Sequence, residues 1–135
     1  MKRIALDTTF LIDLQNERRK RGVARGALDF LRDHAETVFY LPVIARGEYL
    51  EGFADPESAE ARDWIDALQP IEVSGETATE YAKVTRKLRA EGRLIGGNDL
   101  WIGCATKLAG MPLATANTGD FVRIPGLEVI DYRKG

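Results

Sequence analysis

The strongest constraint on the fold is an alternation of short apolar runs with longer stretches of helical spacing. Ile4-Ala5-Leu6, Thr37 to Leu41, Ile71 to Val73, Leu113 to Ala116 and Leu127 to Ile130 each suit a buried strand and are short for a helix. Between them, Val23, Ala27, Phe30 and Leu31 fall on one helical face. Pro42 suits the start of a helix, where a missing N–H costs nothing, and Val43, Gly47, Leu50 and Ala54 follow along one side. A further helix is predicted between Glu57 and Leu68. Ser74 caps a long one carrying Ala78, Tyr81, Thr85 and Leu88. Gly96-Gly97-Asn98 breaks the chain before a helix from Asp99 to Ala109, closed by Gly110 and Pro112. Short strands separated by helices are joined by crossovers, which make neighbouring strands parallel and cover both sides of the sheet. The predicted class is therefore α/β: an open, mainly parallel five-stranded sheet flanked by helices on both faces. No repeat or linker interrupts the chain, so residues 1–135 are read as one domain.

Composition then narrows the chemistry. One cysteine, Cys104, excludes an internal disulfide and a cysteine-cluster zinc site, and suits a reducing cytosol. One histidine, His34, excludes the H-E-x-x-H arrangement. There is no G-x-x-x-x-G-K-[ST] or G-x-G-x-x-G loop, which argues against nucleotide-driven or dinucleotide chemistry. No apolar run approaches the ~18–20 residues of a membrane span, and no signal peptide is evident, so a cytoplasmic protein without a membrane role is expected. The net charge of −2 argues against nucleic-acid binding by bulk positive charge, but not against phosphate binding through a metal. Carboxylates are left as the main chemical resource.

In open α/β sheets ligands sit beyond the carboxyl ends of the strands, where strand order reverses. That rule selects Asp7, directly after the first strand, and Asn117 and Asp120, just after the fourth. Asp99 opens the helix leading into the fourth strand, and Glu48 lies in the helix after the second. If the first and fourth strands are neighbours, these side chains converge on one crevice. Several carboxylates together repel one another unless a cation joins them, and magnesium or manganese favours such hard oxygen ligands. Each acid also has a plain structural reading. Asp7 and Asp120 suit caps and turns, and Asp99 in a first helical turn gains about 0.3–1 kcal/mol from the helix dipole. Helical periodicity does not separate Glu48 from Glu51.

Other features read as scaffold. Arg18, Arg19, Lys20, Arg21 and Arg25 form a basic cluster that could touch RNA phosphates, but reads first as a solvated helix start. Trp101, Cys104 and Leu108 suit core or dimer contacts, and His34 suits a surface position near a helix end. Cys104 has no nearby histidine base to make it a nucleophile.

Four segments resemble, in order, the motifs of the PIN-domain nucleases. Asp7-Thr8-Thr9-Phe10-Leu11-Ile12-Asp13 is similar to the amino-terminal motif, and Glu48 followed by Gly52 resembles the E-x-x-x-G helix, which favours Glu48 over Glu51. Gly97-Asn98-Asp99-Leu100-Trp101-Ile102-Gly103-Cys104-Ala105 resembles the third motif, usually built around N-D-L-x-I-A-A, with Gly103 and Cys104 where alanines are common. Leu113 to Phe121 resembles the closing T-x-N-x-x-D-F segment. Chain length and the last motif look most like stand-alone VapC-type toxins of toxin–antitoxin pairs.

The resemblance implies a Mg2+- or Mn2+-dependent endoribonuclease, usually a homodimer, held inactive by a cognate antitoxin. Asp7 and Asp99 would be the principal metal ligands, on one ion or two, and Glu48 and Asp120 would complete the acidic set. Thr8, Thr9, Thr115 and Asn117 would orient these acids or bond to the RNA phosphate. Between the two loop neighbours, Asp120 is expected to be the fourth acid, because Asn117 adds no charge. Two rivals are weaker. A non-catalytic RNA-binding module with a PIN fold does not need acids at all four motif positions. A phosphatase-like hydrolase with Asp7 as nucleophile often has an acid two residues later, where Thr9 stands.

Overall fold

The computed structural model describes residues 2–133. Strand β1 (Arg3–Leu6) lies at the centre of a five-stranded sheet with β2 (Val38–Pro42), β3 (Gln69–Ile71), β4 (Leu113–Thr115) and β5 (Val129–Asp131). The order is β3-β2-β1-β4-β5 and every pairing is parallel. In register, Ile4 lies opposite Phe39 and Ala5 opposite Leu113. The chain leaves β1 toward β2 on one side and returns to β4 on the other. The switch in strand order therefore falls between β1 and β4, as the placement of the acids requires.

The helices are α1 (Thr8–Arg18), α2 (Ala27–Asp33), α3 (Val43–Leu50), α4 (Ala59–Arg62), α5 (Gly75–Ala90), α6 (Gly97–Leu108) and α7 (Thr118–Phe121). Alternation along β1 separates two cores. Ala5, Leu41 and Leu113 join one with Ala45, Leu88 and Ile102, while Ile4, Leu6 and Ala114 join the other with Phe10, Leu14 and Phe30. Burial of both sheet faces is why the strands read as unbroken apolar runs rather than alternating ones.

Several expectations shift. The turn after Asp7 is the start of α1, an element that periodicity does not announce. Phe10 and Leu14 enter one core and Leu11 the other, so the apolar residues do not form a single stripe. Val23 is 83% exposed and precedes α2, because the helix starts only at Ala27. Pro42 does cap α3, but Ala45 and Tyr49 form its buried side, and Ala54 lies beyond the helix. The stretch 57–68 holds only α4 and a 3-10 turn at Ile65–Ala67. The third strand begins at Gln69 and the fifth at Val129, each displaced by pairing with its neighbour. Helix α6 starts at Gly97, two residues before Asp99. The basic cluster lies at the end of α1 and in the following loop rather than at a helix start. Leu108 is 43% exposed, whereas Cys104 is fully buried and Trp101 stacks on Tyr81 at 4.0 Å. His34 ends α2, stacked on Phe30.

Gly103 is the tightest point of α6. A Cβ there would overlap the Cδ1 of Ile124, itself 1% exposed. Gly103→Ala is therefore expected to cost about 1–3 kcal/mol by overpacking. Ile124→Val removes the obstructing methyl, so the double variant should be more stable than the sum of the two changes allows. Chemical denaturation of the four proteins measures the coupling. Strict additivity would mean that the helix moves aside instead.

Candidate active site

The backbone delivers Asp7 first. It follows β1 directly, caps α1 by accepting the Phe10 N–H at 3.1 Å, and is 2% exposed. Its two oxygens also accept from hydroxyls: Thr9 at 2.7 Å on one and Thr115, from β4, at 2.5 Å on the other. Burial raises the Asp7 pKa, and these hydrogen bonds only partly offset it. Thr9 and Thr115 in turn accept backbone N–H groups from Ala116 (3.0 Å) and Asn117 (2.9 Å), so both hydroxyls tie β1 to the loop after β4.

Glu48 reaches the same crevice from α3. Thr8 donates to one of its oxygens at 2.6 Å and Asn98 to the other at 3.0 Å. Glu51 follows the last turn of α3, is exposed and lines the same groove, but of the two it is Glu48 that is bonded to Thr8 and Asn98. Asp99 projects from the first turn of α6, half-buried. Its pKa is pushed up to about 6 by burial, and by the charges of Asp7, Glu48 and Asp120, against a hydrogen bond from Asn117. Asn117 donates at 3.0 Å to Asp99 and at 3.1 Å to Asp120. The amide sits between two carboxylates and holds both, a role compatible with the positioning expected of it.

The geometry thus brings together all eight residues selected from the sequence, and adds Asn98. The signals available were its position beside Asp99 and its place in the N-D-L segment, because its partner Glu48 lies 50 residues away. A second cluster was invisible in the sequence. Asp13, 5% exposed on α1, accepts Tyr132 Oη at 2.6 Å and the Arg133 guanidinium at 2.7 and 3.0 Å. Burial raises its pKa, but Arg133 and Tyr132 more than reverse this and leave it lowered. These contacts fasten the end of the chain to the helix that Asp7 caps.

Among the described residues no three Asp, Glu, His or Cys side chains are close enough to make a ready-made metal cage. Each acid is held instead by a neutral hydroxyl or amide donor. The donor set still fits a hard divalent cation. It is all oxygen, the charges of Asp7, Glu48 and Asp120 raise the pKa of Asp99, and no Lys or Arg among the described residues pairs with any of the four. No helix of the described residues is long and apolar enough to cross a membrane.

Residues 4–127 match the family model described as PIN domain. The chain is 25% identical over 132 residues to Ribonuclease VapC1 of Methanocaldococcus jannaschii, covering 96% of this chain and 88% of that protein. It is 36% identical over 70 residues to Ribonuclease VapC1 of Haemophilus influenzae strain R2866, covering 52% of this chain and 50% of that protein. The latter match therefore spans about half of each chain. The fold is shared with VapBC2 from Rickettsia felis bound to a DNA fragment from its promoter (TM-score 0.79, 22% identity, 95% of this chain and 97% of that chain). VapBC-1 from nontypeable Haemophilus influenzae is equally similar in fold (TM-score 0.79, 23% identity, 98% of this chain and 99% of that chain).

Proposed function

The chain belongs to the PIN-domain family, and from that premise we propose that it is a Mg2+- or Mn2+-dependent endoribonuclease, the toxin of a toxin–antitoxin pair. The observation that carries the reading is the group of four acids at the strand switch, in which the other three raise the pKa of Asp99 and none has a cationic partner among the described residues. Relatives named as ribonucleases favour RNA as substrate, and structural neighbours described as VapBC assemblies favour a cognate antitoxin. A cytoplasmic homodimer completes the proposal.

Asp7 and Asp99 are the residues to hold the cation, with Glu48 and Asp120 completing the set. A bound divalent ion supplies positive charge for the scissile phosphate and makes water a better nucleophile. The chain's own groups do the rest. Thr9 and Thr115 fix the direction of both Asp7 oxygens, so that little reorganisation is needed when a phosphate arrives. Asn117 keeps Asp99 and Asp120 at a set separation. Glu48, fixed by Thr8 and Asn98, lines an open groove, where its carboxylate can accept a proton at the moment of attack.

The test is a side-by-side assay of chelator-treated protein on single-stranded RNA and on an aryl phosphate monoester, with Mg2+ or Mn2+ restored. Internal cleavage of RNA that requires the metal, with no monoester turnover, is the expected result. Monoester turnover would instead favour phosphatase chemistry, and folded protein that leaves RNA intact in every condition would overturn the enzyme. Growth arrest on expression, relieved by co-expressing the neighbouring gene, is the corresponding result for the toxin role.

A further inference from the structure

The basic segment after α1 is a built loop rather than a loose charged run. Lys20 takes a left-handed conformation (φ 55°) and donates its N–H to Glu17 O at 3.1 Å, while Arg21 N–H reaches Asn16 O at 2.8 Å. These two bonds close the helix in the manner usually given to glycine, here with lysine in the strained position. Gly22 (φ 69°) and Gly26 (φ 104°) then turn the chain. The Glu17 carboxylate holds the far side by accepting the backbone N–H groups of Arg25, Ala27 and Leu28 at 2.9–3.0 Å. The loop is thus fixed at both ends.

Its cations are not equivalent. Arg18 pairs with Asp63 and Arg19 with Glu60, whereas Lys20, Arg21 and Arg25 have no ion-pair partner among the described residues, and of these three it is Arg21 that faces the groove beside Glu48. Arg21 lines a groove with Arg19, Gly52, Phe53 and Glu48. Glu48 also lines the adjoining groove with Thr8 and Asn98, so the two grooves meet at Glu48, the one of the four acids that shares a groove with Arg21. The crevice itself repels phosphate, and the net charge of −2 offers no general attraction. Affinity for a strand beyond its scissile phosphate must then come from local cations. A free guanidinium on the connected groove is the side chain suited to that task, through paired N–H bonds to phosphate oxygens.

We propose that Arg21 binds a backbone phosphate of single-stranded RNA whose scissile phosphate lies at the acids, so that the groove past Glu48 is the substrate path; this rests on the ribonuclease reading. The test compares parent, Arg21→Ala, Arg21→Lys and Arg32→Ala on a ten-nucleotide RNA and on a dinucleotide, across a salt series. Arg32 pairs with Asp29 on α2 and lines neither groove, so its variant controls for loss of one charge. Arg21→Ala is expected to raise KM for the long RNA about fivefold or more. It should also flatten the logarithmic salt dependence by about 0.7, the loss of one single-strand phosphate contact. Arg21→Lys should recover part of both, and Arg32→Ala should match the parent. The KM penalty should vanish on the dinucleotide, which carries no phosphate besides the scissile one. A parent-like KM and salt slope in Arg21→Ala, with the parent cleaving RNA, overturns the path while leaving the nuclease intact. The same null result combined with weakened binding of the co-expressed neighbour would make the groove a protein-docking surface. A parent that cleaves no RNA overturns the ribonuclease reading instead.

Discussion

Asp7→Asn is expected to reduce metal-supported RNA cleavage on the order of 10²–10³-fold, with the fold retained. The amide has nearly the same shape as the carboxylate. Its oxygen can still accept the Thr9 hydroxyl and the Phe10 N–H, so the start of α1 keeps its cap. The cost falls on the other side, where an NH2 replaces the oxygen that accepts the Thr115 hydroxyl. Thr115 must then turn its proton elsewhere while still accepting the Asn117 N–H. Removal of a buried charge works in the opposite direction, because Asp7 is penalised by burial and raises the pKa of Asp99. The two effects should leave the melting temperature within about 5 °C of the parent. Asp99 should also titrate closer to the ordinary carboxylate range in the variant, which carboxyl NMR can follow. Parent-like cleavage by Asp7→Asn would place the chemistry elsewhere in the molecule.

As pH rises from about 4 to 6, the metal-free protein is expected to lose stability. Asp99 titrates at about 6 in the folded chain, against an unfolded value near 3.8, so between these limits the native state binds more protons than the unfolded one. The stabilisation is full below the unfolded value and is lost as pH passes through the folded one. The shift corresponds to at most about 3 kcal/mol, which reduces to about 1–2 kcal/mol for a half-buried group near solvent. Asp7, also raised, acts in the same direction. Asp13 and Glu17 have lowered pKa values and act in the opposite direction, but their window lies at or below the ordinary carboxylate range. Thermal melts at pH 4, 5 and 6 should therefore show the trend, and Asp99→Asn should flatten it. Mg2+ or Mn2+ should raise the melting temperature at pH 7 and lose this effect at pH 5, where protons compete for the same oxygens. A pH-independent midpoint with no response to either metal would mean that the acids do not form a mutually repelling cluster.

What local chemistry can specify was legible in the sequence. Strands buried on both faces need continuous apolar runs, and those runs are visible as Ile4-Ala5-Leu6 and Leu113 to Ala116 without any partner. Parallel pairing then follows from the helices between them, and an acid at the end of a strand is a local pattern. That β1 and β4 are neighbours entered only as a condition, which the sheet order meets, and Glu48 was preferred to Glu51 only through the family resemblance.

Tertiary structure decided whatever depends on two faces or on distant partners. Helix α1 divides Phe10 and Leu14 from Leu11 between two cores, and a periodicity that looks for one buried stripe does not detect such a helix. Glu48 lies in α3 and Glu51 just after it, and what separates them is bonding from Thr8, 40 residues earlier, and from Asn98, 50 residues later. Asn117 holds two acids because α6 and the loop after β4 meet in space. Asp13 finds Tyr132 and Arg133 only after the sheet has brought the end of the chain back to α1. The sequence by itself determined which residue types were available and the period at which they recur. Their pairing across 18–120 residues exists only once the sheet has closed those distances, and it is this pairing that gathers separate carboxylates into one cluster.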